Sequence, residues 1–136
     1  MSALTYSQAQ GLISAAFAAA RAKGYKPMGL VVVDAAGQIK AAAREDGATA
    51  LRIDIANGKA SAALGMGVNS RALAQRAKDL PAFMTALAAV SSQKFLPQTG
   101  AVLIQDAAGQ TIGAAGASGG TGDEDEEICI AGIAAV

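Results

Sequence analysis

The sequence contains no histidine, and this absence excludes several kinds of site at once. A Ser-His-Asp or Cys-His catalytic unit, a histidine-bearing zinc site and a histidine-ligated haem all need an imidazole. Any chemistry must therefore use lysine, arginine, carboxylates, hydroxyls, tyrosine, methionine, backbone amides or the single cysteine, Cys129. One cysteine cannot form a disulfide within the chain.

Large and charged side chains are scarce as well. Tryptophan is absent, aromatic residues make up 4% and charged residues 16%, whereas apolar residues make up 52% and alanine alone accounts for 35 of the 136 positions. A chain of this length is typical of one domain, and we expect residues 1–136 to form a single one. The small side chains predict a core built by close approach of backbones.

Long hydrophobic runs and basic blocks are missing too. The longest weakly polar run, residues 12–20, is too short to span a bilayer and lacks a signal-peptide cleavage pattern. The basic residues are scattered without an aromatic ladder beside them, which argues against a nucleic-acid or membrane surface. Five of the eleven acids lie in residues 123–127, so residues 1–122, with eleven basic and six acidic residues, carry a net charge of +5. We expect a cytoplasmic protein with neither nucleic acid nor membrane as a partner.

The pattern along the chain alternates between helices and hairpins. A capping box that starts at Thr5 predicts an amphipathic helix over residues 6–23. The turn Asp-Ala-Ala-Gly occurs at residues 34–37 and again 72 residues later, each time between two apolar runs, which predicts two β-hairpins. Further helices are predicted over residues 49–64, 70–79, 80–92 and 123–136, the third of these with Phe83, Leu87 and Val90 as its buried stripe. This order predicts an α+β domain with helices packed on an antiparallel sheet.

Two stretches near the end of the chain each allow a structural and a functional interpretation. The glycine-rich residues 113–122 are typical of a closely packed central strand, and a phosphate-binding loop is disfavoured by the acids that follow and by the lack of a Gly-Lys-Ser/Thr sequence. In the acidic run, Asp123 and Glu126 have the spacing of a helix cap and its reciprocal partner. The alternative is a hard-cation site, but consecutive acids splay around a helix axis, and no metal site is predicted.

Candidate binding residues stand out because charge is so sparse. Arg44 and Lys59 are candidates for holding a carboxylate ligand, and the alternative is that Arg44 pairs locally with Asp46 or Asp54. Cys129 lies within an apolar run, which predicts a buried, unreactive thiol.

Six groups of residues, in this order and spacing over nearly the whole chain, resemble the GlcG/HbpS-like family, which is also known from the C-terminal domain of PduO. They are residues 31–34 with Gly37, Arg44 with residues 46–48, Ala56 with Lys59 and Ala60, residues 112–119, Asp125 with Glu126, and Ala131 with Gly132. The resemblance implies a profilin-like arrangement of α/β/α layers, with a central antiparallel sheet and flanking helices. It also implies a homo-oligomer, a dimer or larger, with a pocket near the subunit contacts.

The functional implications of the resemblance are haem or other tetrapyrrole binding in several members and, in others, a link to small aromatic or hydroxy acids, including a lyase acting on a hydroxylamino-aromatic acid. This chain departs from the family at two points. It offers no histidine to a haem iron, and residues 101–103 replace a Gly-x-Pro-like segment.

The resulting hypothesis is a small-molecule binding protein, with haem or another tetrapyrrole as the cofactor or ligand. The alternative is a cofactor-independent, lyase-like enzyme acting on a small aromatic or hydroxy carboxylic acid. We place the pocket between residues 44–46, the helix carrying Lys59 and the loop at residues 118–120. The predicted ligand-binding residues are Arg44, Asp46, Lys59, Ser118, Gly119 and Gly120. Without histidine, the candidates for a general acid or base are Lys59, Asp46, Glu124 and Asp125.

Overall fold

The structure is a computed structural model that describes residues 3–136. Five helices and four strands follow one another in the predicted order of helix, hairpin, helices, hairpin, helix. They are α1 (Tyr6–Ala22), β1 (Gly29–Asp34), β2 (Ile39–Arg44), α2 (Arg52–Met66), α3 (Ser70–Asp79), α4 (Pro81–Val90), β3 (Ala101–Gln105), β4 (Thr111–Ser118) and α5 (Gly122–Ala134). No helix in this part of the chain combines the length and apolar character needed to cross a membrane.

The four strands form one antiparallel sheet in the order β2-β1-β4-β3. Both predicted hairpins are confirmed, and their two Asp-Ala-Ala-Gly turns have the same hydrogen bonds. In the first, Asp34 Oδ1 accepts hydrogen bonds from the backbone amides two and four residues on, and in the second Asp106 Oδ1 does the same. The glycine that ends each turn, Gly37 or Gly109, has a positive φ of 79° or 81°. The hairpins join through β1 and β4, which makes these the central strands.

Helices cover both faces of the sheet and produce the expected α/β/α layers. Val31 and Val33 of β1 point towards α2, whereas Leu30 and Val32 point towards α1 and α5. Because both faces of β1 are buried, its sequence is apolar throughout instead of alternating. The fold class is therefore α+β with a profilin-like central sheet.

The close approach of backbones that the small side chains predict is found where α2 crosses β4. A Cβ built on Gly116 would lie 2.3 Å from the carbonyl oxygen of Ala56 and 3.1 Å from Cβ of Ala60. Only glycine at position 116 lets the helix axis come this near to the strand. This contact brings the side chains of α2 directly over the end of β4.

The start of α3 covers the outer edge of β3. Ser70 Oγ accepts a hydrogen bond from the amide of Ala101 and donates to its carbonyl, and Asn69 Oδ1 accepts from the amide of Leu103. Asn69 is the N-cap of α3, but its side chain bonds to the strand instead of to the helix. These bonds protect an edge that would otherwise be open to another strand and hold the beginning of β3 in place.

Two helix predictions need correction. The helix predicted over residues 49–64 begins three residues later, at Arg52, and extends to Met66. In α4 the predicted buried stripe is wrong at two of its three positions: Phe83 and Val90 are exposed, Leu87 is half-buried, and Met84 is the buried residue. The reason is that α4 packs on α3 instead of on the sheet, and Met84 joins a small buried cluster with Ala62 of α2 and Leu73 of α3.

Candidate functional site

A cleft of about 420 Å³ opens at the C-terminal end of β4, between α2, the segment before β3 and the start of α5. We call it the Arg52 cleft, after the cation at its wall. Its size falls in the range of small-molecule sites, which span roughly 300–1,000 Å³. It is lined by Arg52, Ile55, Lys59, Leu96, Gln98, Thr99, Ser118, Gly120, Thr121, Gly122, Asp123 and Asp125.

A buried ion pair lies in the wall of the cleft. Lys59 Nζ donates to Asp125 Oδ2 at 2.9 Å and to the carbonyl oxygen of Ala117 at 3.0 Å. The side chains of Lys59 and Asp125 are only 6% and 2% exposed. A lysine ammonium has three N–H donors, so one remains beyond these two bonds.

The second oxygen of Asp125 also has a partner. Asp125 Oδ1 accepts a hydrogen bond from the amide of Gly120 at 2.9 Å, so the carboxylate ties the turn after β4 to α5. Burial raises the pKa of Asp125 above its ordinary value, and the ammonium of Lys59 opposes this shift. The pair is therefore a structural element beside the cleft that joins α2 to α5 and to the turn after β4.

Arg52 contributes a second cation to the cleft. Its Nη1 donates to the hydroxyl of Ser118 at 3.1 Å, and it forms no ion pair with any carboxylate in residues 3–136. The base of the Arg52 side chain lies against Gly29 of β1. A Cβ added to Gly29 would lie only 2.9 Å from Cβ of Arg52. Since Lys59 bonds to Ala117 and Arg52 to the neighbouring Ser118, the two cations converge at the end of β4 although they are two helical turns apart on α2.

The N-terminus of α5 forms the opposite wall. Thr121 is the N-cap: its hydroxyl accepts a hydrogen bond from the amide of Glu124, and the Glu124 carboxylate accepts one from the amide of Thr121. The prediction that Asp123 and Glu126 form this box is therefore wrong by two residues. The chain turns into the helix at Thr121, directly after the Gly119–Gly120 turn, so Asp123 already lies within the first turn.

Three of the acids that follow the cap form ion pairs with cations of neighbouring elements, and one of the three, Asp123, also lines the cleft. Asp123 and Glu126 both pair with Arg71 of α3, and Glu127 pairs with Lys23. Within residues 3–136 there is no cluster of three or more acidic, cysteine or histidine side chains that could hold a metal ion. The acidic run thus packs α5 against its neighbours.

The third wall is the segment between α4 and β3, and it rests on a glycine of α2. The amide of Leu96 donates to the carbonyl of Gly58 at 3.1 Å, and a Cβ on Gly58 would lie 3.0 Å from Cβ of Leu96. This close approach lets Leu96, Gln98 and Thr99 line the cleft. By helix propensity alone, the same glycine is unfavourable within α2.

The structure brings together only part of the predicted site. Lys59, Ser118, Gly120 and Asp125 line the Arg52 cleft, whereas Glu124 belongs to the capping box. Gly119 forms the buried turn beside them, with a φ of 154° and Pro27 and Met28 packed against it.

The remaining two predicted residues, Arg44 and Asp46, line a separate cleft of about 470 Å³ on the side of α1, together with Phe17, Arg21, Pro27 and Glu45. The register of the sheet explains why Arg44 lies apart from Ser118. Gly29 of β1 pairs with Arg44 on one side and with Ser118 on the other, so the three residues form one row across the sheet. Arg52 sits over Gly29 and so stands between Arg44 and Ser118. Arg44 instead donates to the carbonyl of Ala48, and neither predicted local pair, with Asp46 or with Asp54, forms.

Sequence reasoning missed Arg52, although one signal for it was present. Arg52 and Lys59 are seven residues apart, which puts both on the same face of a helix. The predicted helix begins at residue 49, which places Arg52 within its first turn. In the structure Arg52 is the first residue of α2, and its side chain bonds to Ser118.

The molecule is thus a profilin-like α/β/α protein with a charged cleft at the end of its central strand. The chain belongs to the HbpS-like family, because the family model described as "Haem degrading protein HbpS-like" matches residues 4–134. No curated protein matches the sequence.

Solved structures of the same fold agree with this assignment. The chain is similar to HbpS, with 28% identity, a TM-score of 0.85 and coverage of 98% of this chain and 90% of that one. It is also similar to the PduOC–heme complex, with 26% identity, a TM-score of 0.87 and coverage of 99% and 96%. The Klebsiella pneumoniae protein ORFY, at 23% identity with a TM-score of 0.86 and coverage of 97% and 89%, shares the fold.

Proposed function

We propose that this protein binds a small organic molecule through a carboxylate group in the Arg52 cleft. The observation that carries the proposal is the guanidinium of Arg52, which lines the cleft, is oriented by Ser118 and has no carboxylate partner in residues 3–136. A guanidinium forms its strongest hydrogen bonds with carboxylates, which it can grip with two parallel N–H groups. Of the charged residues that line the cleft, Lys59 pairs with Asp125 and Asp123 pairs with Arg71, so Arg52 is the one without an ion pair among the described residues.

Haem and other tetrapyrroles are the ligand class that the family favours. The family description refers to haem degradation, and a similar structure is a complex with heme. Haem carries two propionate carboxylates on an apolar ring. Ile55 and Leu96 supply apolar lining on either side of the cleft, beside the cation that a propionate requires.

Replacement of Arg52 tests this function. Protoporphyrin IX would be titrated into the wild-type protein and into Arg52→Gln, with binding followed by fluorescence. Loss of a charge-assisted hydrogen bond should weaken binding roughly 10- to 100-fold. The matched control is Arg76→Gln, an exposed arginine of α3 away from the cleft, which should bind as the wild type does. Equal affinity of Arg52→Gln and Arg76→Gln would refute the proposal.

A catalytic role of the same cleft is the second candidate. Lys59 is buried, lines the cleft and is held by Asp125, and it keeps one N–H beyond its two protein bonds. Such an amine can donate a proton to an oxygen or nitrogen leaving group on a carboxylate-anchored substrate. Turnover of a panel of small aromatic and hydroxy acids, lost in Lys59→Met, supports a lyase-like enzyme. No turnover of any member argues for a binding protein.

We also propose a homo-oligomer in which α4 of one protomer packs on α4 of another. Leu80, Phe83 and Val90 are 56%, 56% and 81% exposed and lie on one side of the helix. Because α4 carries no charged residue, the α4 helices of two protomers can pack together without burying a charge. For the same reason, α4 offers no ion-pair partner to a charged protein surface. The segment after α4 lines the Arg52 cleft, which would bring this interface close to the pocket.

Light scattering tests the assembly directly. The wild type should have a mass at least twice the protomer mass of 13.4 kDa at micromolar concentration. Phe83→Glu should shift the protein to the monomer, whereas Tyr6→Glu, at an equally exposed aromatic residue of α1, should not. A wild-type monomer would refute this arrangement.

A further inference from the structure

The Arg52 cleft contains no side chain of the types that hold a haem iron. Those types are the imidazole of histidine, the thiolate of cysteine, the thioether of methionine and the phenolate of tyrosine. Histidine is absent from the whole sequence, and none of the other three types occurs among the residues that line the cleft.

Cys129 is enclosed by protein. It is fully buried, and its Sγ lies 3.6 Å from the carbonyl oxygen of Gly100. Burial raises the pKa of the Cys129 thiol well above its ordinary value, and the charge of Asp125 adds to this shift. Cys129 is therefore a protonated thiol with no access to a ligand in the cleft.

The methionines in residues 3–136 are packing residues. Met28 comes nearest, but it is fully buried beneath the backbone of Gly119 and Gly120. Met84 is buried between α2, α3 and α4, and Met66 packs against the same cluster. None of these sulfur atoms faces the cleft, and Met1 lies outside the described residues.

The two tyrosines and Lys59 are also unsuitable. Tyr6 is exposed on the first turn of α1, and Tyr25 donates to the carboxylate of Glu127. Partial burial, together with Glu127, raises the pKa of Tyr25 and keeps its phenol neutral. Lys59 lines the cleft, but its side chain is an ammonium that donates to the Asp125 carboxylate and the Ala117 carbonyl, and an ammonium nitrogen has no lone pair to offer a metal.

We infer that this chain recognises its ligand through carboxylates and contributes no axial ligand to a metal, so that haem and metal-free protoporphyrin IX bind equally well, anchored by Arg52. The inference rests on the proposed function and narrows its ligand class. The two porphyrins share the same ring and the same two propionates and differ only in the iron. A site that contacts only the ring and the carboxylates therefore binds the two porphyrins with the same affinity.

The test compares hemin, protoporphyrin IX and benzoate as three separate ligands of the wild type and of Arg52→Gln. We expect the dissociation constants of the two porphyrins to agree within about threefold and both to rise by a similar factor in Arg52→Gln. The absorption spectrum of bound hemin should be the same in the wild type, Cys129→Ala and Tyr25→Phe.

Three outcomes would overturn the inference in distinguishable ways. Hemin binding at least 10-fold tighter than protoporphyrin IX would mean that the chain ligates the iron, while the proposed function survives if Arg52→Gln still weakens both. Arg52-dependent binding of benzoate with neither porphyrin bound would also leave the proposed function standing. Failure of all three ligands to bind would overturn the inference and the proposed function together.

Discussion

Lys59 on α2 and Asp125 on α5 form a buried ion pair, with Nζ and Oδ2 2.9 Å apart, across the end of the central strand β4. The pair joins the helix on one face of the sheet to a helix on the other. It does so beyond the end of β4, where side chains from both layers can meet. Gly100 allows this contact, because a Cβ there would lie 2.7 Å from Nζ of Lys59.

Removal of the charge on Asp125 should destabilise the protein strongly. Asp125→Asn leaves the ammonium of Lys59 buried without its counter-ion, which costs about 3–5 kcal/mol of unfolding free energy. Asp123→Asn, which changes an exposed acid two residues earlier in the same helix, should cost about 1 kcal/mol or less. Urea unfolding of both variants measures the difference.

The double variant Lys59→Met with Asp125→Asn should recover much of that loss. With both charges gone, no ion remains to be desolvated, and an apolar side chain can fill the space. Strictly additive losses in the double-mutant cycle would mean that the two side chains contribute independently, and that the pair does not act as a unit.

Two glycines of α2 provide a matched pair of substitutions. At Gly65 an added Cβ meets nothing within 4 Å, so Gly65→Ala should raise stability by about 0.5–1 kcal/mol through helix propensity. At Gly58 the added Cβ would lie 3.0 Å from Cβ of Leu96. Gly58→Ala should therefore not raise the stability, and it should displace Leu96 away from α2. Thermal unfolding compares the two.

Ligand binding separates the same two variants. Gly58→Ala moves Leu96 and with it the segment carrying Gln98 and Thr99, so affinity for a ligand of the Arg52 cleft should fall, whereas Gly65→Ala should bind normally. Equal stabilisation and equal affinity in both variants would contradict the role assigned to Gly58.

The cap of α5 gives a third prediction. Thr121→Ala removes the hydroxyl that accepts from the amide of Glu124 and should cost about 1 kcal/mol. Asp123→Ala removes only a favourable charge in the first turn and its exposed pair with Arg71, so it should cost less. Chemical denaturation ranks the two. A larger loss for Asp123→Ala would restore Asp123 as the principal cap.

The ion pair of Glu127 predicts a dependence of stability on pH. The hydrogen bond from Lys23, 2.6 Å away, lowers the pKa of Glu127 despite partial burial. Because the folded-state pKa lies below the unfolded-state value, this group stabilises the fold above the unfolded value, and the contribution is lost as the pH falls through the folded-state pKa.

The matching experiment compares the wild type with Glu127→Gln between about pH 7 and pH 3. The wild type should be the more stable at neutral pH, and the difference should shrink on acidification. Lys23→Met should reduce the pH dependence of that difference. A difference that stays constant with pH would show that Glu127 acts through packing and not through its charge.

The elements of the fold could be predicted from sequence because their determinants are local. The capping box at Thr5, the two Asp-Ala-Ala-Gly turns and the apolar periodicity each depend on neighbouring residues, and the structure confirms α1 and both hairpins. The family resemblance is confirmed over residues 4–134. The absence of histidine excludes catalytic units and metal sites that require an imidazole, and this follows from the sequence alone.

Which residues share a cleft was decided by tertiary packing. Arg44 and Lys59 are separated because the first residue of α2 lies over Gly29, in the row of the sheet between Arg44 and Ser118. That position depends on α2 approaching the backbone of β4 at Gly116, a contact between residues far apart in the chain. Local patterns contain no information about such an approach, since it follows from the way two surfaces fit together. Local sequence patterns therefore predict the helices, the hairpins and the position of Lys59 on a helix, whereas packing across the sheet places Arg52 beside it.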